Sequence, residues 1–306
     1  MEANRSVTLL FTFILASVLM AGCTYMPDAV RNLFQSEAGK GLVQHAQEHL
    51  LPEVVDRLGD WAFELKLKTV HVSHNPRSEQ AITEVMNRLV RAADGTPYAE
   101  VAKKFRWQAT LFVKDDVPNA FAVPSGRIGV YTGLLRLADT GKHGTQDVLA
   151  AVLGHEIVHA LARHAADRMS AELRQELALA TTGLQLETGG LSPEATAGVM
   201  VAMGISQEGA VMRPFAREQE SEADHVGLLL MAKAGFDPQA AVAFWTTLQS
   251  ASAKTHMPEL LSVHPTDEVR IKQLNDWMPE ALEQYRLATR NQRVPVAGVS
   301  PTGKGS

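Results

Sequence analysis

Apolar residues recur at helical spacing along most of the chain and alternate in only one short region. Ile82, Val85, Met86, Leu89 and Val90 mark one face of a helix predicted over Ser78–Ala93, which Asp94-Gly95-Thr96-Pro97 ends. Trp61–Val72 is undecided. Phe105–Val113 alternates enough to be a strand. Asn119–Val123 and Arg127–Thr132 read as two more, turned by Pro124-Ser125-Gly126. Pro118 and Pro124 bracket the middle segment. Proline cannot donate to a ladder, so this segment is predicted on a sheet edge. Such an edge can take up an extended peptide as a further strand, and reads equally well as an ordinary hairpin with no ligand.

From Gly133 onward helical spacing returns. Gln146–Arg163 has no proline, and Val148, Ala151, Val152, His155, Val158, His159 and Ala162 share one stripe. Residues 170–188 form another predicted helix, broken by Gly189-Gly190. Residues 193–209, rich in Ala, Gly and Met, read as a packed helix in preference to a mobile cover. Further on, Ala216, Glu220, Ala223, Asp224, Gly227, Leu230, Met231 and Ala234 share a face that is small or apolar except for its two acids. Glu218, Glu222, His225 and Lys233 share another, which reads as solvated. The expected fold class is α+β, mainly helical, with a small edge-exposed sheet packed on the helix that begins near Gln146.

Length and composition sharpen this. With 306 residues, 45% hydrophobic, the chain can bury one sizeable core. A net charge of −5 and no basic stripe argue against nucleic acid as a partner. Cys23 is the single cysteine, so no disulfide forms within the chain. Residues 1–22 read as a signal peptide, because Val7–Met20 is apolar but shorter than the ~20 residues of a membrane span. Leu19-Met20-Ala21-Gly22-Cys23 resembles a bacterial lipobox, which implies cleavage before Cys23 and its lipidation; the alternative is a plain cleaved signal. Thr24 after it resembles the sorting signal for the periplasmic face of the outer membrane. The expected organisation is a lipidated tether and helical region over 23–70, a main domain over 71–290 and a disordered tail over 291–306.

The chemistry lies in the two acid- or histidine-bearing stripes. His155 and His159, four residues apart on a helix, project about 40° apart and can grip one metal ion. Glu156 sits beside that ion, where a base must stand to take a proton from water. Three glutamates compete for the third ligand position, and helical phase selects Glu220 over Glu218 and Glu222. Asp224, one turn further, is placed to accept the other N–H of a ligand histidine, His155. The competing reading pairs both acids with Arg213 or Arg217 in a structural network. His164, His225 and His256 match no ligand position and read as structural or solvated, and His143 as a loop residue.

His155-Glu156-x-x-His159 followed by Glu220-x-x-Ala223-Asp224 resembles the gluzincin metallopeptidases of peptidase family forty-eight. Asn119-Ala120-Phe121-Ala122 with Tyr131-Thr132-Gly133-Leu134-Leu135 is similar to the family's active-site edge strand and the turn after it. His264-Pro265-x-x-x-x-Arg270-Ile271 is similar to its downstream element. The resemblance spans roughly residues 75–275 and implies a zincin-type domain with one zinc per chain, held by His155, His159 and Glu220. It implies that His264 or Arg270 donates to the oxyanion, and that His264 in some relatives instead closes the metal's open position. Asn119, Ala120, Phe121 and Ala122 would bind substrate. The chain looks like the lipid-anchored periplasmic branch, which cleaves misfolded or mistargeted envelope proteins beside the outer-membrane assembly machinery. The rivals are a chaperone using the same edge, and a hydrolase of a non-peptide bond.

Overall fold

Asn75 and Pro76 set the first helix of the main unit, α1 (Pro76–Ala92). The Asn75 side chain accepts the Ser78 N–H at 3.1 Å, and Pro76 takes a position where no N–H is needed. The helix therefore starts two residues before the predicted Ser78, and buries Ile82, Val85, Met86 and Leu89.

The computed structural model describes residues 55–139, 142–168, 199–201, 203, 215–252, 259–265 and 268–293. The expected leader, Cys23, the 170–188 helix, most of 193–209 and the end of the tail lie outside these residues. The chain divides into two compact units. One comprises residues 1–66, 123–125 and 165–212; the other comprises 67–122, 126–164 and 213–306 and holds the elements that matter for function. After α1 come α2 (Ala99–Ala102), β1 (Gln108–Phe112), β2 (Ala120–Ala122), β3 (Arg127–Tyr131), α3 (Thr132–Asp139), α4 (Thr145–Leu161) and α5 (His164–Asp167). Then follow α6 (Arg217–Lys233), α7 (Gln239–Ser252), α8 (Glu259–Val263) and α9 (Glu268–Arg293). Among the described residues the architecture is mainly helical with one small sheet. No described helix is long and apolar enough to cross a membrane.

The sheet order is β1-β3-β2, with β1 parallel and β2 antiparallel to β3. β2 is thus an edge strand. Its phase is fixed by the Tyr131 N–H, which donates to Asn119 O at 3.0 Å. Asn119 and Phe121 bond towards β3, so Ala120 and Ala122 turn their main-chain groups to the outer side. Gly126, at φ 90°, occupies the left-handed region just before β3. Phe112, Phe121 and Tyr131 pack together with ring centroids 6.0–6.2 Å apart.

α4 lies at the centre. Every residue from Val148 to Leu161 is buried, where the sequence pattern predicts a single buried stripe. The reason is that α1, α3, α6, α7 and β2 all pack around it. The closest of these neighbours is α6. A Cβ on Gly227 would stand 2.9 Å from the His155 nitrogen and 3.0 Å from the Gly154 carbonyl carbon. A Cβ on Gly154 would stand 3.0 Å from the Gly227 oxygen. The two helices therefore cross backbone to backbone at two glycines. Gly235, at φ 78°, ends α6 with its N–H on Ala232 O while the Phe236 N–H reaches Met231 O.

Replacing Gly227 with Ala puts a methyl against backbone atoms that cannot swing aside. We expect Gly227→Ala to lower stability by about 1–3 kcal/mol in chemical denaturation. A variant as stable as wild type would show that the crossing is loose.

Candidate metal centre

The crossing sets the geometry of the site. α4 presents His155 and His159, one turn apart, and α6 presents Glu220 and Asp224, one turn apart, with Gly154 and Gly227 in the seam between them. His155 Nε2 and His159 Nε2 stand 3.0 Å apart, and Glu220 Oε1 lies 3.3 Å from His159 Nε2. Glu220 Oε2 is 3.6 Å from His155 Nε2. A fourth donor comes from the end of α8: His264 Nδ1 is 3.1 Å from His155 Nε2 and 2.8 Å from Glu220 Oε1. All four ligand atoms lie within 4.8 Å of one another, and all four residues are buried.

The residues around the set fix what it can hold. Asp224 Oδ1 lies 2.9 Å from His155 Nδ1, so the His155 N–H is spent there and its Nε2 is a bare lone pair. Burial drives His159 well below the ordinary histidine range and keeps it neutral. Two imidazole nitrogens and a carboxylate therefore converge on one point. Charge points the same way. Among the described residues of the cluster, three buried carboxylates, Glu156, Glu220 and Asp224, face one buried guanidinium, Arg270, leaving the charge that a single divalent cation cancels. Nitrogen and oxygen donors at a four-cornered, buried site suit one zinc ion.

Arg270 is taken up by the acids. Its Nε is 2.5 Å from Asp224 Oδ2, its Nη2 2.8 Å from Asp224 Oδ1 and its Nη1 2.7 Å from Glu220 Oε2. Its Nη1 also donates to the carbonyls of His264 and Pro265, and its plane lies 4.0 Å over the Trp245 ring. Burial opposes the charge on Asp224 and Glu220. Arg270 and the neighbouring histidines outweigh it and hold Asp224 low and Glu220 well below the ordinary carboxylate range. Glu156 differs: burial pushes its carboxyl up, against the pull of His264 and His155. It accepts the Ala122 main-chain N–H, and its Oε1 is 3.3 Å from His264 Nε2.

The structure thus brings His155, Glu156, His159, Glu220, Asp224, His264 and Arg270 into one buried cluster. Ala122 reaches it through Glu156. Asn119 turns its side chain to the Ala120 N–H at 2.9 Å, and Phe121 packs between Phe112 and Tyr131. Cys23 lies outside the described residues. Sequence reasoning missed three neighbours. Phe215 covers His159 and His264, with centroids 4.0 and 5.1 Å away. Trp245 meets the His155 ring at 5.4 Å. His164, read as structural or solvated, is buried with Nδ1 2.9 Å from His159 Nδ1. His225 instead stacks on Trp277, and His143 lies 3.5 Å from Asp237.

The chain is 27% identical over 261 residues to the mitochondrial metalloendopeptidase OMA1 of Schizosaccharomyces pombe, covering 84% of this chain and 67% of that protein. It is 38% identical over 175 residues to the mitochondrial metalloendopeptidase OMA1 of Danio rerio, covering 54% of this chain and 34% of that protein. It is 28% identical over 246 residues to the β-barrel assembly-enhancing protease of Escherichia coli, covering 76% of this chain and 47% of that protein. The matches thus span from about a third to two thirds of these relatives. The mitochondrial relatives overturn the expectation of an outer-membrane address through Cys23. The expected address rested on a few leader residues, and a metallopeptidase fold is indifferent to compartment. The sequence model of Peptidase family M48 matches residues 76–278, a span containing the edge strand and both ligand-bearing helices, and the chain belongs to that family.

Proposed function

We propose that this protein is a zinc metalloendopeptidase of protein quality control, cleaving unfolded polypeptide chains. The observation that carries this is the convergence of His155 Nε2, His159 Nε2 and Glu220 beside Glu156, whose carboxyl is tied to the edge strand through Ala122. When bound, zinc supplies Lewis-acid chemistry, polarising the scissile carbonyl and making water acidic enough to be deprotonated near neutrality. Glu156 accepts the proton from the attacking water and returns it to the leaving amine. Its raised carboxyl pKa suits both halves of that task. Asp224 holds His155 in the tautomer that leaves Nε2 free. Arg270 cancels the charge of Asp224 and Glu220 and keeps both in place. An extended substrate is assigned to the outward carbonyls of Ala120 and Ala122, whose N–H groups are held by Asn119 and Glu156, so recognition is through the backbone and tolerant of sequence.

The substrate class we assign is misfolded or mistargeted cell-envelope protein; the likeness to enzymes named β-barrel assembly-enhancing protease supports it. A second reading, an assembly factor with gated proteolysis, is favoured by His264. Its Nδ1 stands at the fourth corner of the donor set, where water must enter. His264→Ala separates the two: cleavage rises if His264 closes the site and falls if it donates to the oxyanion.

Glu156→Gln should retain zinc and lose casein cleavage by at least about a hundredfold, as expected for loss of a general base. Cleavage by wild type should stop with a chelator and return with zinc. A Glu156→Gln variant that cleaves as fast as wild type would sink the assignment.

The same side chain makes a pH prediction. Burial holds the folded carboxyl pKa of Glu156 above its ordinary value of 4.5, so charging it opposes folding as pH rises past that value. Metal-free Glu156→Gln should therefore melt higher than metal-free wild type at pH 7. The gap should close towards pH 4, and a gap independent of pH would contradict the burial argument.

A further inference from the structure

The two histidine ligands are supported differently. His155 Nδ1 meets a carboxylate directly, at Asp224. His159 Nδ1 meets another imidazole, His164 Nδ1, at 2.9 Å. Two ring nitrogens at that distance share one hydrogen, and the surroundings decide who owns it. His159 must keep Nε2 bare to serve as a ligand, so its hydrogen is on Nδ1, which donates to His164 Nδ1. His164 then carries its hydrogen on Nε2, which faces Glu222 Oε2 at 3.0 Å and donates to it. The other oxygen, Glu222 Oε1, accepts the Tyr98 hydroxyl hydrogen. Every donor in the series has an acceptor, and the direction runs one way, from the metal side outward to Glu222.

Local backbone geometry builds this contact. On a continuing helix, the fifth residue after His159 would point about 140° away from it. α4 instead stops at Leu161, and Arg163 adopts φ 59°. A non-glycine residue in the left-handed region is strained, and here it turns His164 back onto the His159 ring, with centroids 4.9 Å apart. Phe215 also packs on the His159 ring, with its centroid 4.0 Å away and 6.3 Å from the His164 ring. The series ends on the Glu222 carboxyl group, which accepts from both Tyr98 and His164.

We infer that His164 is a positioning residue for the metal, orienting ligand His159 through Nδ1 and anchored in turn by Glu222 and Tyr98. In this role Glu222 does for His159, through one imidazole, what Asp224 does directly for His155. The inference rests on His159 being a zinc ligand.

The test compares the full chain with His164→Ala, His164→Asn and Glu222→Ala, by competition with a zinc chelator and by visible absorption of the cobalt(II)-substituted protein. His164→Ala should weaken zinc binding about 10–100-fold and alter the cobalt bands. His164→Asn returns an oxygen acceptor near the lost Nδ1 and should recover most of both. Glu222→Ala should shift both readouts in the same direction by less, and add nothing once His164 is Ala. Equal zinc affinity and identical cobalt spectra in wild type and His164→Ala would overturn the inference. If His164→Ala does not fold, the Glu222 side chain, 42% exposed, can be removed alone, and unchanged readouts there would overturn it equally. Wild type that binds no zinc would instead sink the ligand assignment of His159 itself.

Discussion

The structure depends on one close approach. α4 and α6 touch at Gly154 and Gly227 with no room for a side chain on either. Helix pairs usually stand ~8–10 Å apart, held off by the side chains between them. Removing those side chains lets Glu220, one helix away, come within 3.3 Å of His159 Nε2. Glycine in a helix interior costs up to ~1 kcal/mol relative to Ala. Here two such costs are offset by bringing donors from separate helices to one point. The same seam aligns Asp224 with His155, because Asp224 lies one turn beyond Glu220 on the same face.

That point is buried on all sides, which sets the electrostatic problem. Three carboxylates in a low-dielectric interior repel one another strongly, and Arg270 answers only part of the charge. Arg270 can do so because its planar fork spans Asp224 and Glu220 together while its face rests on Trp245. What is left over is the charge of a divalent ion. The site is thus built to be uncomfortable when empty and settled when filled, and metal binding and folding stability are linked through it.

Much of this was legible in the sequence, and the limits have physical causes. The strands, the hairpin and the edge position of residues 120–122 followed from alternation and from two prolines. Helical phase singled out Glu220 among three glutamates, and the structure buries it with both histidines. Periodicity within a helix carries that information because i, i+3 and i+4 share a face. It carries none across a helix end. His164 follows the left-handed turn at Arg163, where phase is lost, so nothing in the pattern tied it to His159. Glu222 lies on the side of α6 that faces water, and a partly exposed acid looks the same whether or not Tyr98 and His164 bind it. The all-round burial of α4 also escaped, because a stripe shows which face is apolar and cannot show how many elements will surround it.

The edge strand and the base form a single mechanical unit. Ala120 and Ala122 turn their main chain outward, and the Ala122 N–H is already engaged by Glu156. Under the proposed function, a substrate strand added to β2 would arrive beside the Glu156 carboxyl group. Strand addition fixes the direction and register of an extended chain to within a residue, since each step along it flips the side chains to the other face. In that proposal, main-chain recognition on β2 and proton transfer at Glu156 would be positioned by the same three-residue strand. A globular, folded protein has few free extended segments to offer that edge, whereas an unfolded one offers many. The proposed selection of unfolded chains would then need no dedicated pocket, because β2 and Glu156 are joined through the Ala122 N–H.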